Sequence, residues 1–261
     1  MGSSLFFRDV YEASWGWKLI LLLFTLGVLV LLIYLNIKDI TRSNRAQEKA
    51  DLMSFLFDTV LMSNKPRPKI KFNYIDQTWQ IKDDFSTEYN QVLELVSLEG
   101  TVESYANRFF ATETAKHIDS FGEQCLLDVR VGRSRVGSAV YDKTPWEKIV
   151  AIKLPESLSA NESTKISYKF NWPKYWIKLK KPLGSDSIKW ECRYQCDKAI
   201  FTIVFPRIIK SEGQVPVDIH PKKYEEEGLF YTNESGILVY KLDIKGPPVG
   251  EDILIRFHFE L

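Results

Sequence analysis

The sequence is short of the residues from which most chemical sites are built. It holds three cysteines, three histidines and three methionines in 261 residues. It also lacks an excess of either charge: 35 Lys and Arg against 34 Asp and Glu leave a net charge of +1. There is therefore no global basic field of the kind nucleic-acid binders use, and any electropositive site must be local. Three cysteines, Cys125, Cys192 and Cys196, cannot form a fully paired disulfide framework. Cys192 and Cys196 fall in the alternating run Ile188–Cys196, which reads as one strand. Four strand residues span about 13 Å, whereas a disulfide needs Cα atoms within about 7 Å. Their spacing is not that of a zinc knuckle either. Both read as core thiols, which favours a reducing compartment.

Catalytic motifs are missing as well. There is no G-x-S-x-G, H-E-x-x-H, P-loop or dinucleotide-binding G-x-G-x-x-G,. His117, His220 and His258 are far apart in sequence. The acidic clusters Asp83-Asp84 and Glu225–Glu227 read as solvated loops, not the buried carboxylate pairs of general acid–base chemistry,. On these absences the chain is expected not to be an enzyme and to use neither a metal nor a cofactor.

One long apolar run is present. Leu19 to Leu35 is interrupted only by Thr25 and Gly27. At about 17 residues it reaches the short end of what crosses a bilayer. Trp15 and Trp17 before it and Tyr34 near its end suit the interfaces, and Lys18 can snorkel to the headgroups,. Asn36 to Arg42 offers no small-residue cleavage site, so an uncleaved anchor is expected rather than a signal peptide,. Arg8 and Lys18 precede the run, while Lys38, Arg42, Arg45 and Lys49 follow it. That excess predicts a single-pass protein with its C-terminal part in the cytoplasm.

Beyond the anchor, Asn44 with Gln47 looks like a helix start. Leu52, Phe55, Leu56, Val60 and Leu61 then recur at helical spacing, predicting a short amphipathic helix that ends at Asn64–Pro68,. From Lys69 the period becomes two. The clearest strand holds Thr164, Ile166, Tyr168, Phe170 and Trp172 on one face and Lys165, Ser167, Lys169 and Asn171 on the other. Repeated alternation predicts a mainly β, antiparallel β-sandwich, either immunoglobulin-like or two packed sandwich units. The expected divisions are 1–37 for tail and anchor, 38–68 for amphipathic helix and linker, 69–155 for a first β-rich unit, and 156–261 for a second.

Two segments suit ligands. Arg130, Arg133, Ser134 and Arg135 cluster at a strand end beside glycines, a composition that suits phosphate or carboxylate,. Alternation predicts that Arg133 and Arg135 converge with Val131. In Trp172–Lys181, aromatics and lysines interleave, so Tyr175, Trp176, Lys178, Lys180 and Lys181 are candidates for membrane contact, with core packing as the competing reading,. The expected partners are the lipid bilayer, a small anionic ligand, and either further copies of the chain or a membrane partner protein engaged through residues 1–62. Gly27 would permit close helix approach there. The function expected is a membrane-anchored cytoplasmic β-sandwich serving as a binding or assembly module. The alternatives are a ligand-gated oligomeric membrane effector, as in bacterial antiviral defence, and an accessory subunit of a larger membrane complex.

Overall fold

A computed structural model describes residues 15–56, 69–110, 126–144, 147–172, 176, 179 and 184–259. The chain divides into two compact units, residues 1–50 and 51–261. Helix α1, Trp15–Leu56, is continuous over 42 residues, a rod of about 63 Å. This corrects the expected break between an anchor and a short amphipathic helix. No proline or glycine lies between Leu35 and Leu56, so nothing interrupts the ladder, and Asn44 sits inside the helix rather than capping a new one. Hydroxyls within α1 bond back to its own carbonyls: Thr25 Oγ1 donates to Leu22 O at 3.2 Å and Thr41 Oγ1 to Ile37 O at 2.7 Å,. The stretch Leu22–Asn44, 23 residues of mean hydropathy 1.9, is long and apolar enough to cross a membrane,.

The second unit is mainly β. Its strands are β1 Lys69–Ile81, β2 Thr87–Glu99, β3 Val102–Phe110, β4 Leu126–Val131 and β5 Ser134–Arg135. They continue as β6 Ser138–Thr144, β7 Glu147–Leu158, β8 Ser163–Trp172, β9 Ser185–Glu191 and β10 Gln195–Cys196. The last are β11 Lys198–Val204, β12 Val217–His220, β13 Gly228–Thr232, β14 Leu238–Lys245 and β15 Asp252–His258. A nine-stranded sheet runs β13-β14-β11-β1-β2-β8-β4-β5, with β10 also beside β1. Two three-stranded sheets are ordered β12-β15-β9 and β3-β7-β6. All pairings are antiparallel except those of β1 with β10 and β11, which are parallel.

Alternation builds the core as the sequence implies. On β8, Ile166, Tyr168, Phe170 and Trp172 are at most 3% exposed, while Lys169 turns outward to Glu88 at 2.5 Å. Both small sheets meet the inner face of the large one. Phe109 of β3 packs on Phe170 at 4.7 Å, and Phe257 of β15 packs on Phe205, just after β11, at 6.1 Å, within the range of favourable ring pairs. A polar row crosses this interior. Gln77, Gln91 and Tyr168 are neighbours in register, and Asn107 Nδ2 donates to Gln91 Oε1 at 2.6 Å.

The boundary expected at residue 155 does not coincide with a break. Pro155 lies within β7, where the pairing with β3 shifts register between Val102 and Ser104. A bulge accommodates the missing N–H. The expected strand Ile188–Cys196 is divided: β9 pairs with β15, whereas β10 pairs with β1 in a different sheet. The chain changes sheets at Cys192, whose N–H donates to Glu251 O at 2.9 Å. Cys192 and Cys196 are free and buried. Burial pushes their thiols up to about 12 and about 11, which keeps them protonated and unreactive. Cys125 lies outside the described residues.

Candidate functional site

The arginine cluster forms a hairpin at one end of the large sheet. Strand β4 carries Val129 and Val131 inward, so Asp128 and Arg130 turn outward,. The loop is Gly132-Arg133, with Gly132 at φ +59°, a conformation glycine adopts without strain. Gly132 N–H donates to Lys165 O at 2.8 Å, and Val136 N–H to Val129 O at 3.0 Å, which fixes the hairpin against β8.

The two-residue loop resets the alternation. Arg130 is opposite Arg135 and Val131 is opposite Ser134. Directly opposed residues share a face, so Arg135 stands with Arg130, not with Val131. This corrects the expected convergence of Arg133 and Arg135 on the Val131 side. The residue missed in the sequence is Asp128. Its Oδ2 lies 2.5 Å from Arg130 Nε and its Oδ1 3.1 Å from Arg135 Nε. The signal was its place two residues before Arg130 on one strand face. Pairs this exposed contribute about 0–1 kcal/mol, so Asp128 orients the guanidiniums more than it stabilises the fold. Arg133 and Ser134 are exposed at the tip. Among the described residues, Arg133 has no ion pair or hydrogen bond.

Beside the hairpin lies a cleft of about 280 Å³. Its walls are Leu126, Val129, Val136 and Val140, and its polar lining is Asp128, Arg135 and Ser138. It opens where β4 and β5 of the large sheet approach β6. The cleft is open and its exposed lining is mainly polar, and the Arg135 guanidinium that borders it suits an anionic group,.

The second candidate segment is placed differently. Trp176 is fully buried, its ring 5.0 Å from Phe257 and its backbone N–H donating to Phe85 O at 3.2 Å. Membrane contact by Trp176 is therefore corrected to core packing, because the indole fills the space between β15 and the Phe85 turn. Tyr175, Lys178, Lys180 and Lys181 lie outside the described residues. In α1, Trp15, Trp17 and Lys18 fall on helical backbone, with their side chains outside the description. Tyr34 is 59% exposed, and a Cβ added at Gly27 would meet nothing within 4 Å.

The acidic clusters have local roles. Asp84 Oδ1 accepts the Ser86 N–H and hydroxyl at 2.9 and 2.6 Å. The Ser86 hydroxyl bond, with the backbone bond, draws that carboxyl below its ordinary value,. Asp83 Oδ1 accepts Arg207 N–H at 2.8 Å. Glu225 pairs with Lys222 at 2.5 Å. Among the described residues, no cluster of three or more His, Cys, Asp or Glu could hold a metal ion.

No family model matches the chain. No curated protein matches it significantly. Similar solved structures include a candidate protease from Parabacteroides distasonis, at 9% identity over 73% of this chain and 40% of that one, TM-score 0.49. An M1 zinc metallopeptidase from Deinococcus radiodurans is similar at 11% identity over 77% and 45%, TM-score 0.46. Leukotriene A4 hydrolase from Saccharomyces cerevisiae is similar at 12% identity over 72% and 29%, TM-score 0.42. The expectation that the chain is not an enzyme is withdrawn: it rested on absent motifs alone, and the similar structures bear the names of a protease, a metallopeptidase and a hydrolase. A motif search sees only chemistry held within the chain itself, and the chain spans less than half the length of these structures. At these identities and TM-scores the likeness carries no activity, substrate or metal to this chain.

Proposed function

We infer that the chain is a single-pass membrane-anchored binding module. In this reading the apolar run Leu19–Leu35 of α1 spans the bilayer, the β unit stacks its sheets as a sandwich in the cytoplasm, and the β4–β5 hairpin with its cleft takes a small anionic ligand. The observation that carries the anchor is the exposure of α1. Its described large apolar side chains from Leu19 to Ile40 are 41–71% exposed, a surface that water would penalise and lipid would accept. The observation that supports the ligand is Arg133, exposed at the hairpin tip with no ion pair or hydrogen bond among the described residues, two residues before Arg135, which lines the cleft. The test is calorimetric titration of the full chain in detergent with inorganic phosphate and with a nucleoside monophosphate. Binding that is lost in Arg133→Ala and Arg135→Ala together supports the site. Equal heats in the wild type and the double variant contradict it.

A further inference from the structure

Among the described residues, six strands end the three sheets, β13 and β5 of the large sheet, β12 and β9, and β3 and β6, with the two-residue β10 lying off this path beside β1. An exposed edge presents unpaired backbone groups, and natural sheets guard such edges with charges, proline or brevity. Five of the six follow this rule. Strand β5 is two residues long and contains Arg135. Strands β12, β9, β3 and β6 each contain an Asp or Glu. Strand β13, Gly-Leu-Phe-Tyr-Thr, contains no charge and no proline.

It is also apolar on its outward side. Phe230 faces inward, its ring 4.9 Å from Tyr240, so Leu229 and Tyr231 turn out, at 51% and 42% exposed. Charge is displaced to the two ends of the strand. Glu226 and Glu227 precede it and Glu234 follows it, all exposed and without an ion pair among the described residues. An apolar, hydrogen-bonding edge between two acidic ends has a definite complement.

We propose that β13 is a docking edge for an extended peptide segment of another protein, apolar at alternate positions and flanked by basic residues. The peptide adds a strand beside β13 through main-chain hydrogen bonds, covers Leu229 and Tyr231, and sets its basic flanks against the acidic ends. A second copy of this chain is the poorer occupant. Antiparallel pairing centred on Phe230 would set Glu226 of each copy opposite Glu234 of the other, and parallel pairing would align identical glutamates. Like charges placed opposite each other destabilise a strand pair.

The test uses the full chain in detergent, three labelled peptides and fluorescence anisotropy. The peptides are KKVTVTVKK, its acidic-flanked form EEVTVTVEE, and the proline-broken form KKVTPTVKK. The first should bind, weaken as salt rises, and slow amide exchange across 228–232; the other two should not. The double variant Leu229→Lys with Tyr231→Lys should weaken binding about tenfold. The triple variant Glu226→Lys, Glu227→Lys and Glu234→Lys changes only exposed unpaired side chains, keeps the fold, and should invert the preference toward the acidic-flanked peptide. Equal binding of all three peptides, no binding, or protection elsewhere than 228–232 overturns the proposal. So does concentration-dependent self-association abolished by the Leu229 and Tyr231 changes, which makes the occupant a second copy. Protection of 228–232 in nanodiscs but not in detergent, with no peptide present, makes the patch a lipid contact and also overturns it.

Discussion

Replacing Tyr168 with phenylalanine should stabilise the β unit. The Tyr168 ring sits on β8 between Ile166 and Phe170, 1% exposed, 5.1 Å from Phe109. Its hydroxyl is buried and has no hydrogen-bond partner among the described residues. Burial drives its ionisation far above the ordinary tyrosine range,. An unpaired buried hydroxyl costs about 1–3 kcal/mol of desolvation, and phenylalanine keeps the ring while removing that cost. Tyr168→Phe should therefore raise the unfolding free energy by about 1–2 kcal/mol. In a unit of this size that corresponds to about 2–8 °C in Tm. Tyr168→Ala, which also empties the ring site, should cost about 3–5 kcal/mol. Tryptophan fluorescence during urea unfolding measures both. A loss of more than about 1 kcal/mol in Tyr168→Phe would mean the hydroxyl has a partner and the reasoning fails.

Three further outcomes follow from the same geometry. Glu88 is held below its ordinary value of 4.5 by its hydrogen bond to Lys169, so its contribution is full above that value and is lost as pH falls through the depressed one. Glu88→Gln should cost about 0–1 kcal/mol at neutral pH and nothing in acid, read by unfolding at several pH values; an equal cost in acid would exclude the pair as its cause. Trp176→Ala should cost about 3–5 kcal/mol in urea unfolding and leave binding to anionic vesicles unchanged; selective loss of vesicle binding would restore the lipid role. Asp128→Asn should remove the negative charge beside Arg130 and Arg135 and tighten phosphate binding, measured by calorimetry; weaker binding would show that the carboxylate is needed to hold the guanidiniums in place.

Much of the sheet architecture was legible because one face is buried. The alternation from Thr164 to Trp172 fixes which side chains of β8 enter the core, and the same holds for β14 and β15. What alternation cannot carry is the partner. Strands β1 and β11 pair in parallel, yet their side-chain pattern is that of an antiparallel strand. The run Ile188–Cys196 keeps a period of two while the chain changes sheets at Cys192, because the backbone bonds that move it belong to Glu251 and Phe72, far away in sequence. In the hairpin, alternation holds along β4 but not through Gly132-Arg133, so the arginines were found and their facing was not. The interleaved aromatics and lysines near Trp176 fit both lipid and core, and only the packing of Phe257 decides for the indole.

The most direct test of the anchored-module reading is protease protection combined with alkaline extraction of sealed cells producing the full chain. The protein should stay in the membrane pellet after extraction. The β unit should resist external protease until the membrane is opened, and should then be cut away to leave a fragment containing Leu19–Leu35. Release of the intact chain by alkali, or digestion of the β unit from outside sealed cells, would contradict it.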